Sequence, residues 1–189
     1  DYLDANIFSS LGMESATFSI ADVPEGRFAA QQGSSAEPFV YRYIRNIPSG
    51  LLHVSVRDMA RFVQALLDDG APLLRPETFA QMHTNQLTDL WLPDGSRFGL
   101  SLALSNPTSL AGLEVLQHGG ALPPHYAHLY IAPEEDVAVF TATNTDDGYQ
   151  PSQGLAIEAL EASVLAASGR AYDIIGPTGE VLQRPAQAL

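Results

Sequence analysis

The sequence predicts a mixed α/β (α+β) fold, an antiparallel sheet flanked by helices, on three observations. Residues 113–118, 125–132 and 137–143 read as successive apolar strands. The last two are joined by the four-residue turn Pro133-Glu134-Glu135-Asp136, which is too short for anything but an antiparallel return. Helical patterns stand on either side of that block, at 55–68 and 151–168. With 189 residues, 46% of them hydrophobic, the chain can bury a core as one domain.

The elements follow in order. In the opening DYLDANIFSSLG, Leu3, Ile7, Phe8 and Leu11 recur at helical spacing and stop at Gly12, as a helix C-terminus does. The chain enters this helix without a Met, which leads us to expect further sequence upstream of Asp1. From Met13 to Pro48 the pattern is irregular, with a Pro24-Glu25-Gly26 turn and the turn-forming stretch QQGSSAEP, and predicts a long connection lying on the body of the protein. Ser55-Val56-Arg57-Asp58 is a capping box, in which the Ser hydroxyl and the Asp carboxylate each satisfy a backbone N–H. Met59, Ala60, Val63, Leu66 and Leu67 form the apolar face behind it, and Asp68-Asp69-Gly70 ends the helix. A short helix follows over Leu74–Met82, with Pro76 in its first turn, where a missing N–H loses no bond. Trp91 to Leu104 reads as strand, Pro93-Asp94-Gly95-Ser96 turn and a second strand from Phe98 to Leu104. The last helix turns Leu155, Ile157, Leu160, Val164 and Leu165 inward. Residues 169–189 form a polar tail with a turn at Pro177-Thr178-Gly179.

Composition narrows the function. Every one of the nine basic residues is Arg, against 22 Asp and Glu, and the net charge of −13 opposes binding to nucleic-acid phosphates or anionic lipid. No Cys is present, which excludes a thiolate nucleophile and a Cys-type zinc site. No apolar run approaches the roughly 18 residues that cross a bilayer, and no signal peptide opens the chain.

The chemistry-bearing stretch is LQHGGALPPHYAHLY, residues 116–130. Taken alone, His118 before two glycines suits a plain turn better than a site. Zinc shared by His118, His125 and His128 is disfavoured, because strand residues three apart point to opposite faces. Asp1, Asp4, Asp58 and Asp94 read as caps and turn residues, and Asp146-Asp147-Gly148 as a loop. Trp91, Tyr41 and Tyr43 suit either a cleft wall or ordinary packing.

Several ordered motifs together resemble the serine β-lactamase-like hydrolases, the superfamily of class C β-lactamases, D-Ala-D-Ala peptidases and related esterases. They are Phe8-Ser9-Ser10-Leu11-Gly12-Met13; Pro48-Ser49-Gly50-Leu51; Ser55 to Phe62 with Ala65-Leu66-Leu67; Leu74-Arg75-Pro76-Glu77-Thr78; Phe98-Gly99-Leu100; Gln117-His118-Gly119-Gly120; and Thr143-Asn144. The resemblance runs from about residue 1 to about residue 168. It implies that the chain is the C-terminal portion of one such domain, with the polar tail at 169–189.

The resemblance also implies roles. His118-Gly119-Gly120 matches the site strand that carries Lys-Thr-Gly or His-x-Gly in the family. His118 would lie near the proton relay, the glycines would let substrate lie against the strand edge, and the Ala121 N–H would be one donor of the oxyanion hole. Asn144 matches a position that can bind a substrate carboxylate. The family's nucleophile lies in Ser-x-x-Lys and its general base in Tyr-x-Asn, upstream of where this chain begins. The chain has no lysine, and Tyr43-Ile44-Arg45-Asn46 has the wrong spacing. The expectation is a parent enzyme acting through an acyl-enzyme on a β-lactam, a D-Ala peptide or a small ester, and an inactive isolated chain. The partners implied are a small-molecule substrate and the missing N-terminal part of the domain. No cofactor or metal is implied, and export is favoured. The alternative is a non-catalytic module that uses the same groove to hold a ligand or partner.

Overall fold

The computed structural model describes residues 2–30, 44–89, 97–105 and 113–168, and the backbone of 174–175 and 181–182. The expectations placed on Asp1, Tyr41, Tyr43, the 31–38 stretch, Trp91 to Ser96 with Asp94, and the Pro177 turn lie outside those residues.

The opening helix, α1, runs as a π-helical stretch, Asp4–Phe8, into the α-helical turn Ser9–Leu11, and ends at Gly12 with φ 66°. That left-handed value is the reason for a glycine there. Helices α2 (Val56–Leu67) and α3 (Pro76–Met82) follow as the sequence predicts. The sheet has five strands, β1 (Arg97–Phe98), β2 (Ala103–Ser105), β3 (Val115–Leu122), β4 (His125–Ala132) and β5 (Val137–Thr143). They stand in the order β1-β2-β3-β4-β5, each antiparallel to its neighbour. Helix α4 (Tyr149–Ser168) closes the domain. Within the tail, Ile174–Ile175 (β6) pairs with Val181–Leu182 (β7).

Strand alternation sorts the core into two layers. Val115, Tyr130, Ala132, Val137 and Val139 face α4 and pack on Ala156, Leu160 and Val164. On the other face Leu116, Leu129, Ile131, Ala138 and Phe140 meet Met59, Phe62, Val63 and Leu66 of α2 and Phe79 and Met82 of α3. The sheet is thus filled from both sides at its centre, as a layered α+β domain requires.

Four expectations are corrected. The strand expected over Phe98–Leu104 is a hairpin instead. Arg97 and Phe98 pair with Leu104 and Ala103, and the chain reverses through Ser101 at φ 72°. Gly99 makes this possible, since a Cβ there would sit 1.7 Å from the Met82 carbonyl oxygen. On α4, Leu155 is 60% exposed and Leu165 36% exposed, while the small Ser152 and Ala156 are buried against the sheet. On α2, Ala60 is exposed and Ala65 takes the buried position.

The fourth correction concerns the capping box, of which only half closes as expected. Ser55 Oγ accepts the Asp58 N–H at 3.2 Å, but the Asp58 carboxylate turns away from Ser55. Its Oδ2 accepts the Ser15 N–H at 2.7 Å and the Ser15 hydroxyl at 2.5 Å, and the Ser15 Oγ in turn accepts the Ser55 N–H at 3.1 Å. Arg61 donates to Asp58 Oδ1 at 2.7 Å and to the Gly12 carbonyl. Burial alone would raise the Asp58 pKa; the two Ser15 bonds and the Arg61 guanidinium outweigh it and hold the carboxyl below its usual range.

Candidate active site

Strand β3 is longer than the β2 that flanks it. Their register joins Val115, Leu116 and Gln117 to Ser105, Leu104 and Ala103 and stops there, whereas β4 pairs β3 through to Leu122. From His118 to Leu122, therefore, one edge of β3 has no strand beside it among the described residues. His118, Gly119, Gly120 and Ala121 are all exposed. Alternate N–H and C=O groups of an antiparallel strand point to each side, so this stretch offers main-chain donors and acceptors to whatever lies along it.

The glycines differ in surroundings. A Cβ at Gly120 would meet nothing within 4 Å, so the space beside it is open. Gly119 backs onto the α4 side, where a Cβ would lie 3.6 Å from His128 Nδ1 and 3.8 Å from the Tyr149 hydroxyl. His128 is buried opposite Gly119, its Nε2–H donating to the Tyr149 carbonyl at 3.2 Å and its ring set edge-on to Tyr149 at 4.8 Å. Burial lowers the His128 pKa and the Tyr149 bond partly opposes this.

The same alternation places His118 and Gly120 with Leu116 on the α2–α3 face, together with His125 and, just past β5, Asn144. An irregular strap crosses this end of the sheet. His125 Nε2–H donates to the Ala29 carbonyl at 2.8 Å, and Asn144 Nδ2 donates to the Ala30 carbonyl at 2.6 Å. Phe28 lies between His53 and His125, with ring centroids 5.8 and 5.5 Å away. Burial lowers the His53 pKa and the nearby His125 lowers it further.

The structure thus gathers His118 to Ala121 on one open edge. The register sets Asn144 level with Leu122, two strands and four residues from His118, on the order of 15 Å away. His118 and His128 point to opposite faces. Phe28, His53 and Tyr149 carry no sequence signal, because Phe28 and His53 sit in aperiodic stretches and Tyr149 stands between a loop and the start of the apolar helical pattern.

The β-lactamase family model matches residues 1–163 of this chain, and the chain belongs to that family. Three solved structures share the fold. The octameric penicillin-binding protein homologue of Pyrococcus abyssi is 23% identical, with TM-score 0.65 over 85% of this chain and 36% of its own. A β-lactamase/D-alanine carboxypeptidase of Yersinia pestis is 21% identical, TM-score 0.60, over 86% and 48%. A class C β-lactamase of Rhodobacter sphaeroides is 16% identical, TM-score 0.62, over 86% and 53%. The chain therefore spans from about a third to about half the length of these structures. No curated protein matches the sequence.

Proposed function

We propose that the chain forms one wall of a serine hydrolase site that works through an acyl-enzyme on a β-lactam, a D-Ala peptide or a small ester. The observation that carries the reading is the open edge of β3 from His118 to Leu122, with two glycines where substrate would lie. A carbonyl carbon attacked by a serine Oγ passes its charge to its oxygen. The Ala121 N–H, directed to the open side, would hold that oxyanion, an interaction commonly worth several kcal/mol. His118 stands at the inner end of the edge, beside the proton transfers of acylation. At the outer end the second Asn144 amide hydrogen, not engaged with Ala30, is the donor for a substrate carboxylate. The nucleophile and general base come from polypeptide carrying Ser-x-x-Lys and Tyr-x-Asn, since this sequence has no lysine. The reading calls for no metal or organic cofactor.

The missing lysine also favours a second reading, a module that binds a ligand or partner in the same groove without chemistry. Two measurements separate them. The 189-residue chain alone should hydrolyse neither a chromogenic cephalosporin nor a chromogenic ester, and turnover by it would refute the assignment of the nucleophile elsewhere. The coding region upstream of Asp1 should encode Ser-x-x-Lys and then Tyr-x-Asn. A reading frame without them would leave the binding module standing.

A further inference from the structure

We propose that His128 and Tyr149 are positioning residues for the exposed stretch of β3, their rings backing Gly119 and tying His118–Ala121 to the first turn of α4. The effect on turnover rests on the hydrolase reading; the effect on the strand itself does not.

Beyond the end of β2, the place of His118 to Leu122 is set by β4 and by what lies behind the strand. There Gly119 offers no side chain. Its register partner is His128, which is 2% exposed. A Cβ on Gly119 would meet His128 Nδ1 at 3.6 Å and the Tyr149 hydroxyl at 3.8 Å, ordinary contact distances. The two rings thus stand behind the bare backbone with room for a methyl group between.

A row of hydrogen bonds between the sheet and residues 146–153 fixes these rings. The Tyr126 hydroxyl donates to the Asp146 carbonyl at 3.1 Å, and His128 Nε2–H to the Tyr149 carbonyl at 3.2 Å. Thr141, the partner of His128 on β5, donates through Oγ1 to the Ser152 carbonyl at 3.0 Å. The Gln153 amide donates to the Tyr130 hydroxyl at 3.1 Å. The Tyr149 ring stands edge-on to His128 and, at 5.7 Å, to Tyr126. Further along α4 the contacts with the sheet are apolar, at Ala156, Leu160 and Val164. The polar row therefore sits at the end of α4 that backs Gly119, and hydrogen bonds fix direction as well as distance.

A charge on the His128 ring works against this arrangement. The groups that face it are Gly119 of β3, Tyr126 and Tyr130 of β4, Thr141 of β5, and Tyr149 and Ser152 of α4, none of which carries a charge at neutral pH. Its lowered pKa agrees with that setting.

Amide exchange in the 189-residue chain reads the strand directly. In His128→Leu, which keeps the bulk and loses the bond, the amides of His118–Leu122 that bond to β4 should exchange about tenfold faster, with Val115 and Leu116 unchanged. His128→Gln, whose side-chain amide can still donate to the Tyr149 carbonyl, should restore most of the protection. If His128→Leu does not fold, a pH series on the wild-type chain gives the same reading. Corrected for intrinsic exchange, these amides should lose protection in step with the His128 ring resonances. Unchanged protection in His128→Leu overturns the proposal, as does a loss shared by the whole sheet, an equal loss in His128→Gln, or a pH response that follows His118. In a form of the protein that carries the nucleophile, His128→Leu should lower kcat about tenfold with KM within about twofold, and His128→Gln should recover it. An unchanged kcat there would confine the pair to folding and overturn its positioning role. No turnover by the wild-type form would instead sink the hydrolase reading, and amide exchange would still decide what His128 does to the strand.

Discussion

Asp58 is read from the sequence as a helix cap, yet its carboxylate binds the residue 43 positions upstream. Nothing local signals this, because Ser15 lies in a stretch without periodicity. The bonds make a prediction with a definite sign. A carboxyl whose folded pKa lies below its unfolded value of about 3.9 adds stability that is complete above that value and is lost as pH falls through the folded pKa. Asp58→Asn should therefore destabilise the chain at neutral pH by about 2 kcal/mol, since charge-assisted bonds to Ser15 and Arg61 are lost. Urea unfolding across a pH series should show the gap between the two proteins closing below about pH 4.

At the scale of elements, the sequence was most legible where one physical signal dominates. The Ser55 cap, the Pro76 start of α3 and the extents of β4 and β5 follow from local chemistry and period. The hairpin at Phe98–Leu104 was hidden because Phe-Gly-Leu-Ser-Leu-Ala-Leu alternates like one strand; only the approach of Gly99 to Met82 reveals the reversal. Helix α4 departs from its sequence pattern for a related reason. Leu155 and Leu165 are larger and more apolar than Ser152 and Ala156, but the helix lies close enough to β4 and β5 that the small side chains face the sheet. The glycines give a paired prediction. Gly99→Ala should cost about 3 kcal/mol by forcing the hairpin off α3, measured by thermal or urea unfolding. Gly120→Ala, with open space around its Cβ, should leave stability within about 0.5 kcal/mol. In a chain that carries the nucleophile, the same substitution should lower kcat/KM by crowding the substrate, so that activity and stability respond separately.

For the whole molecule, family and fold were legible because seven motifs occur in one order, although none identifies the family alone. The candidate site is only half legible. His118-Gly119-Gly120 stands out in the sequence, but that its edge has no strand beside it among the described residues follows from where β2 stops, a register that no local pattern encodes. Charge gives a prediction at this scale. A net charge of −13 makes repulsion work against the compact state. Raising ionic strength from low to physiological should raise Tm by about 3 °C, the response to about 1 kcal/mol in a domain of this size. A fall in Tm would mean that attraction outweighs repulsion.

The Ser15–Asp58–Ser55 junction has a consequence for variation. It clasps two points 40 residues apart, and the Thr17–His53 bridge sits just inside it. Everything between is a closed loop whose neck is fixed by side chains outside it. The entropy of closing such a loop grows only with the logarithm of its length, about 0.6 kcal/mol for each doubling. Residues can therefore be gained or lost between Ile20 and Ile47 while α2 and the sheet stay as they are. The strap bearing Phe28 belongs to that loop and crosses the end of the sheet at His125 and Asn144. The strap is thus free to change shape on a body that need not change at all.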